Sequence, residues 1–334
     1  MSRHAGGQDA AATRKTVKLA ATVGAASAVV AGLVALPMLT GGRTGGDRAP
    51  NPNPTSEPSA SREVTMPASP FAGAANTGPL AAGFNPTQPY TGPMTITQSG
   101  TVIRDKVIPA GLRVEADNVT IQGNLITGPT DPDWDQAALH VEGRNVEIID
   151  NEIRGESATD WRMTPVNGVK LVGDGVDFSR NNVHQIAGDG VSLYGAGANV
   201  VGNWVHDFVL RDGGVHYDGL HYPLDSLAGA GLIKDNTVEL WITDSADSGM
   251  TAAIAIPDSS PGLVVEHNLI AGGNYALMGG GAGAVFQGNA FWTKFSSKVG
   301  YFGAVAYVGD HGTVEWTGNA YSDDGATTKG SVRP

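Results

Sequence analysis

Asp117-Asn118-Val119-Thr120-Ile121-Gln122-Gly123-Asn124-Leu125-Ile126 is the stretch that decides the fold, because its pattern returns along the chain. Written as apolar-x-apolar-x-x-Asn-x-apolar, it recurs at Val146–Ile153 around Asn151, at Val176–Val183 around Asn181 and at Ala198–Val205 around Asn203. Shorter forms follow around Asn236, Asn268, Asn289 and Asn319, and successive asparagines are 27, 30, 22, 33, 32, 21 and 30 residues apart. The alternating apolar positions predict a strand with one buried face. So short a unit cannot bury that face alone, so successive units must stack.

A second short strand is expected in each unit, as in Ala138–Val141, Gly168–Leu171, Gly190–Leu193, Gly219–Tyr222, Ala253–Ile256 and Ala304–Tyr307. Two or three strands per unit, without a helical period, describe an all-β parallel β-helix of about eight or nine coils. A propeller blade would need roughly 40–45 residues and four strands, and leucine-rich repeats would show a denser leucine frame. An inward Asn at one place in every coil predicts a ladder of amides satisfying buried turn backbone. Residues 94–117 are expected to cap one end of the rod and Ser322–Pro334 the other, because bare strand edges need cover.

The chain has 334 residues, 47 of them glycine, and a net charge of −12. With no cysteine, a disulfide framework, a thiolate metal site and a cysteine nucleophile are excluded. Residues 1–65 hold seven basic residues (Arg3, Arg14, Lys15, Lys18, Arg43, Arg48, Arg62) against four acids (Asp9, Asp47, Glu57, Glu63), which leaves the remainder at −15. An acidic body without a basic patch argues against nucleic acid as a partner.

Residues 1–18 read as a basic cytoplasmic segment, and 19–42, which carry no charge, as a signal peptide or membrane anchor. Either one places the body outside the cell, secreted or at its surface, with the membrane touched only through this segment. Residues 43–93, rich in Pro, Ala and Ser, read as a disordered linker, and 94–334 as the β-helix domain, expected to be a monomer.

Three of the eight histidines, His206, His216 and His221, lie within sixteen residues, interleaved with Asp207, Asp212 and Asp218. They occupy the long unit between Asn203 and Asn236, expected to stand off the rod as a loop. Aligning the second strands puts Asp189 and Asp218 at one level on neighbouring coils and forms an outward stripe of His140, Lys170, Ser192 and His221. Carboxylates, imidazoles and an ammonium on one face suit acid–base chemistry on a sugar chain. For a lyase, His216 or His221 could be the base, Lys170 or a metal could neutralise the uronate carboxylate, and Tyr217 or Tyr222 could donate the proton. Calcium on Asp189, Asp212 and Asp218 is one option, and two histidines with a carboxylate on a transition metal another. Asp189-Gly190 also fits a plain turn, His206 an outward turn residue, and Lys170 a solvated surface charge. Trp134 and Trp161, 27 residues apart like Asn124 and Asn151, could offer stacked indoles to a sugar ring.

The run Asp117–Ile126, the Gly188-Asp189-Gly190 turn and His216-Tyr217-Asp218-Gly219-Leu220-His221 resemble exported bacterial right-handed parallel β-helix proteins of the pectate-lyase-like superfamily. The resemblance spans about residues 95–325 and implies a right-handed coil and a carbohydrate-active protein. Many such relatives read His-x-Asp-Gly-x-Gln where this chain ends in His221. The polygalacturonase set of paired Asp, Gly-His-Gly and Arg-x-Lys is absent. The expected function is therefore a polysaccharide lyase acting on a uronate-containing glycan, with a polysaccharide or cell-wall glycan as partner. A glycoside hydrolase and a non-catalytic glycan-binding rod are the alternatives.

Overall fold

The computed structural model describes residues 71–131, 133, 136–212, 215–223 and 229–334. The basic segment, the apolar run and the linker up to residue 70 lie outside the described residues, as does Trp134. No helix among the described residues is long and apolar enough to cross a membrane.

The repeat winds as a right-handed parallel β-helix of nine three-stranded coils among the described residues. Sheet 1 has nine strands, from Thr95–Ile96 to Gly303–Ala306, and sheet 2 nine, from Val102–Arg104 to Glu315–Thr317. Sheet 3 has eleven, from Gln88–Pro89 to Thr328–Ser331. Each strand pairs in parallel with its counterpart one coil away; only the last pair, Ala320–Ser322 with Thr328–Ser331, is antiparallel. At about 4.8 Å per coil, the rod is roughly 40 Å long.

The quoted pattern sets the register. Ile121, Ile148, Phe178, Val200, Ile233, Val265 and Phe286 stand in one column on sheet 2, and all are fully buried. Their neighbours in sequence point outward, which is why these strands read as apolar at every second place.

The eight asparagines form the expected ladder. Asn151 shows the unit: its Oδ1 accepts from the backbone N–H and the Nδ2 of Asn124, at 2.9 and 3.0 Å. Its own Nδ2 donates to Asn181 Oδ1 at 3.0 Å and to the Ile121 carbonyl at 2.9 Å. The same bonds join Asn181, Asn203, Asn236, Asn268, Asn289 and Asn319. The residue before each asparagine has positive φ, including Gly123 at 66° and Gly202 at 67° but also Arg180 at 52° and His267 at 52°.

Two boundaries move. Residues 94–117 are the first coil and the opening of the second rather than a cap, since Thr95–Ile96, Val102–Arg104 and Lys106–Ile108 each join a sheet. The last part of the expected linker is ordered: Gly78–Ala81 is a helical turn and Gln88–Pro89 pairs with Lys106–Val107. Phe84 covers Gly123 and stacks on Arg104, and Phe71 stacks on His267 at 4.9 Å. These aromatic anchors let a proline-rich stretch pack where composition alone suggested a solvated spacer. The tail behaves as expected, with Trp316 Nε1 donating to the Val332 carbonyl at 2.8 Å and Val332 buried.

Candidate functional site

Sheet 1 carries the stripe that strand alignment predicts. Arg113 pairs in register with His140, His140 with Lys170, Lys170 with Ser192, Ser192 with His221, and His221 with Ala255. Lys170 is buried rather than a solvated surface charge.

Asp189 and Asp218 sit at one level at the entrance of neighbouring strands, each spending one oxygen on the backbone of the next coil. Asp189 Oδ1 accepts from the Asp218 N–H at 3.0 Å, and Asp218 Oδ1 accepts from the Ala252 N–H at 2.9 Å. Both second oxygens turn toward the histidines. The glycine after each Asp is required by close approach, not by a positive φ. A Cβ on Gly190 would lie 2.5 Å from the Gly219 carbonyl oxygen, and one on Gly219 2.4 Å from that of Ala253. A plain Asp-Gly turn thus does not explain these pairs.

Asp189 Oδ2 is 3.3 Å from His221 Nδ1, which leaves Nε2 of that ring as its second functional nitrogen. Asp218 is fully buried. Its Oδ2 lies 3.1 Å from His216 Nδ1 and 3.9 Å from His221 Nδ1, yet has no aligned hydrogen-bond donor among the described residues. His216 is exposed, with Nε2 2.7 Å from Thr251 Oγ1. The two imidazoles are 6.2 Å apart. The adjacent Asp218 carboxylate holds the His216 pKa above its ordinary value against the opposing effect of burial. For His221 burial is the largest single influence and works against the proton, but the Asp189 bond and both carboxylate charges together outweigh it, so that pKa is raised too.

His216, Asp218 and His221 form one wall of a cleft of about 480 Å³, and Tyr222, Thr251, Ala255, Asp258, Met278, Tyr307 and His311 line the rest. Asp258 and His311 face each other at 3.4 Å. Neither was singled out from the sequence, because they belong to later coils and sit in no motif; only the coil stacking brings them to this wall.

Other candidates sit elsewhere. Tyr217 is fully buried; its hydroxyl donates to the Val209 carbonyl at 3.1 Å and accepts from the Arg211 N–H at 2.7 Å. It pins the base of the long loop to the rod, with Phe208, Val209 and Val215 also buried, so that part of the loop does not stand off. This geometry removes Tyr217 from the list of proton donors. Tyr222 lines the cleft but is buried, its hydroxyl has no hydrogen-bond partner among the described residues, and burial raises its pKa. His206 lies on sheet 3, a different wall. Its ring stacks on Trp204 and His184, with centroids 3.5 and 5.1 Å away, and its Nε2 is 2.9 Å from Asn182 Oδ1. Trp161 is half-buried, with the guanidinium carbons of Arg162 and Arg211 4.6 and 4.5 Å from its ring; arginines take the place foreseen for a sugar. Asp212 is exposed and lies outside the converging group of Asp189, His216 and Asp218.

No protein-family profile matches the chain, and no curated protein does. Among solved structures it is similar to an alginate lyase from Paenibacillus sp. str. FPU-7, with 14% identity and a TM-score of 0.50 over 61% of this chain and 73% of that one. It is also similar to the Dettilon tailspike protein, with 14% identity and a TM-score of 0.39 over 59% of this chain and 48% of that one. At this identity the likeness to the alginate lyase speaks for the fold alone.

Proposed function

We propose that this protein is an exported polysaccharide-active enzyme that cleaves a uronate-containing glycan by β-elimination in the sheet 1 cleft. The carrying observation is the Asp189–His221 pair beside Asp218 and His216, on a stripe whose earlier coils hold Lys170. Asp189 fixes the Nδ1 side of His221, leaving Nε2 to take the proton from the carbon beside the uronate carboxylate. The electron pair forms the new C=C bond as the bond to the glycosidic oxygen breaks. His221, now protonated, returns the proton to that oxygen from the same face, so one residue serves both halves. A cation at His216, favoured by Asp218, offsets the charge that builds on the carboxylate. Lys170, two coils along the stripe, supplies positive charge to a neighbouring sugar.

Elimination is favoured over hydrolysis by the carboxylates. One oxygen of Asp189 and one of Asp218 lie within 4.8 Å of each other on a single wall, whereas a glycosidase pair flanks the scissile bond from two sides. Their inner oxygens are also committed to backbone. Export rests on the basic flank and the uncharged run at 19–42.

The test is a panel of uronate polymers followed by the ultraviolet absorbance of the conjugated product, with a reducing-end assay in parallel. His221→Ala should abolish the absorbance change, and Asp189→Asn should lower it by about 10²-fold or more. Reducing ends without the chromophore would mean hydrolysis; silence in both assays would leave a glycan-binding rod.

A further inference from the structure

We infer that Asp189, His216 and Asp218 bind one divalent transition-metal ion. One ligand atom from each residue lies within 4.8 Å of the others. The independent observation is Asp218 itself: a fully buried carboxylate whose Oδ2 faces this group without an aligned donor among the described residues. Leaving a buried carboxylate oxygen unsatisfied is costly, and neither histidine meets it in good alignment. A cation satisfies that oxygen directly.

The donors choose the ion. Calcium takes six to eight oxygen ligands, whereas this set is two carboxylates and an imidazole nitrogen, suited to zinc, cobalt or manganese. Both carboxylates are held in orientation by backbone N–H groups, so the anionic half of the site is fixed. His216, the exposed member, closes onto it. His216 and Asp218 line the cleft, so free coordination positions face a ligand there. Asp212, the third acid in the calcium reading of the sequence, takes no part.

Binding does not depend on the glycan reading. If that reading also holds, the ion replaces the proton on His216 as the cation beside the substrate carboxylate. The experiment therefore measures binding alone. The full-length chain is stripped with a chelator and titrated calorimetrically with Zn²⁺, Mn²⁺ and Ca²⁺, and with Co²⁺ while its visible d–d absorption is recorded. The expected result is one zinc or cobalt ion per chain, with calcium not saturating the site. His216→Ala should weaken binding at least about tenfold and Asp218→Asn should do the same, while Asp212→Asn leaves it unchanged. His216 is exposed, so its substitution tests the site even if Asp218→Asn fails to fold. No saturable zinc or cobalt binding, binding indifferent to His216→Ala, or a calcium site dependent on Asp212 would each overturn the assignment.

Discussion

Asn203 shows what one residue can hold together. Its side chain accepts two bonds from Asn181 and donates to Asn236 and to the Phe178 carbonyl, all in a fully buried place. Asn203→Ala leaves those partners unsatisfied inside the rod and should lower unfolding free energy by about 3 kcal/mol, read from chemical denaturation. His206 gives a pH dependence. Burial is the main cause of its pKa falling from 6.5 to about 4, with His184 and Lys294 also opposing the proton and Asp207 favouring it. Above pH 6.5 the ring is neutral folded or unfolded, and its contribution is complete. As pH falls toward about 4 the unfolded chain takes a proton that the folded chain refuses, so stability is lost over that interval, by on the order of 3 kcal/mol at most. Denaturation midpoints across this range should fall less steeply in His206→Gln than in the wild type.

At the scale of a strand, Tyr217–His221 does two jobs because its register shifts between Tyr217 and Asp218, which breaks the strict alternation of a regular strand. Tyr217 points inward and clamps the loop, while Asp218 and His221 reach the cleft side. Gly219 permits this because a Cβ there would lie 2.3 Å from Val238 Cγ1 as well as against the Ala253 carbonyl. Gly219→Ala must push the neighbouring coil away, at about 1–3 kcal/mol. It should reduce metal binding and turnover together with thermal stability, because the displaced strand carries Asp218. The apolar alternation and the Asp-Gly pairs were legible in the sequence as a strand and a candidate site. The clamp was not: Tyr217 reads like any exposed aromatic beside two histidines until the fold supplies Val209 and Arg211 as partners. His206 misleads for the same reason, since closeness in sequence to His216 says nothing about which of three walls it occupies.

At the scale of the rod, stability depends on what covers its ends. The antiparallel strand Thr328–Ser331 lies on the edge strand Ala320–Ser322, and Val332 packs near Trp316. Removing residues 326–334 bares that edge, so the shortened chain should self-associate, visible by light scattering, with its melting lowered. The sequence by itself determined the winding: a fixed Asn spacing with alternating apolar residues has one dense solution, because each unit can bury its face and satisfy its turn only against a copy of itself. It also determined the stripe from His140 to His221, since a constant register transfers spacing into adjacency. Only the tertiary structure decided which residues share the cleft, bringing in Asp258 and His311 and setting His206 and Asp212 apart. Loop lengths differ from coil to coil, and the packing of each loop is fixed by contacts hundreds of atoms away rather than by its own composition.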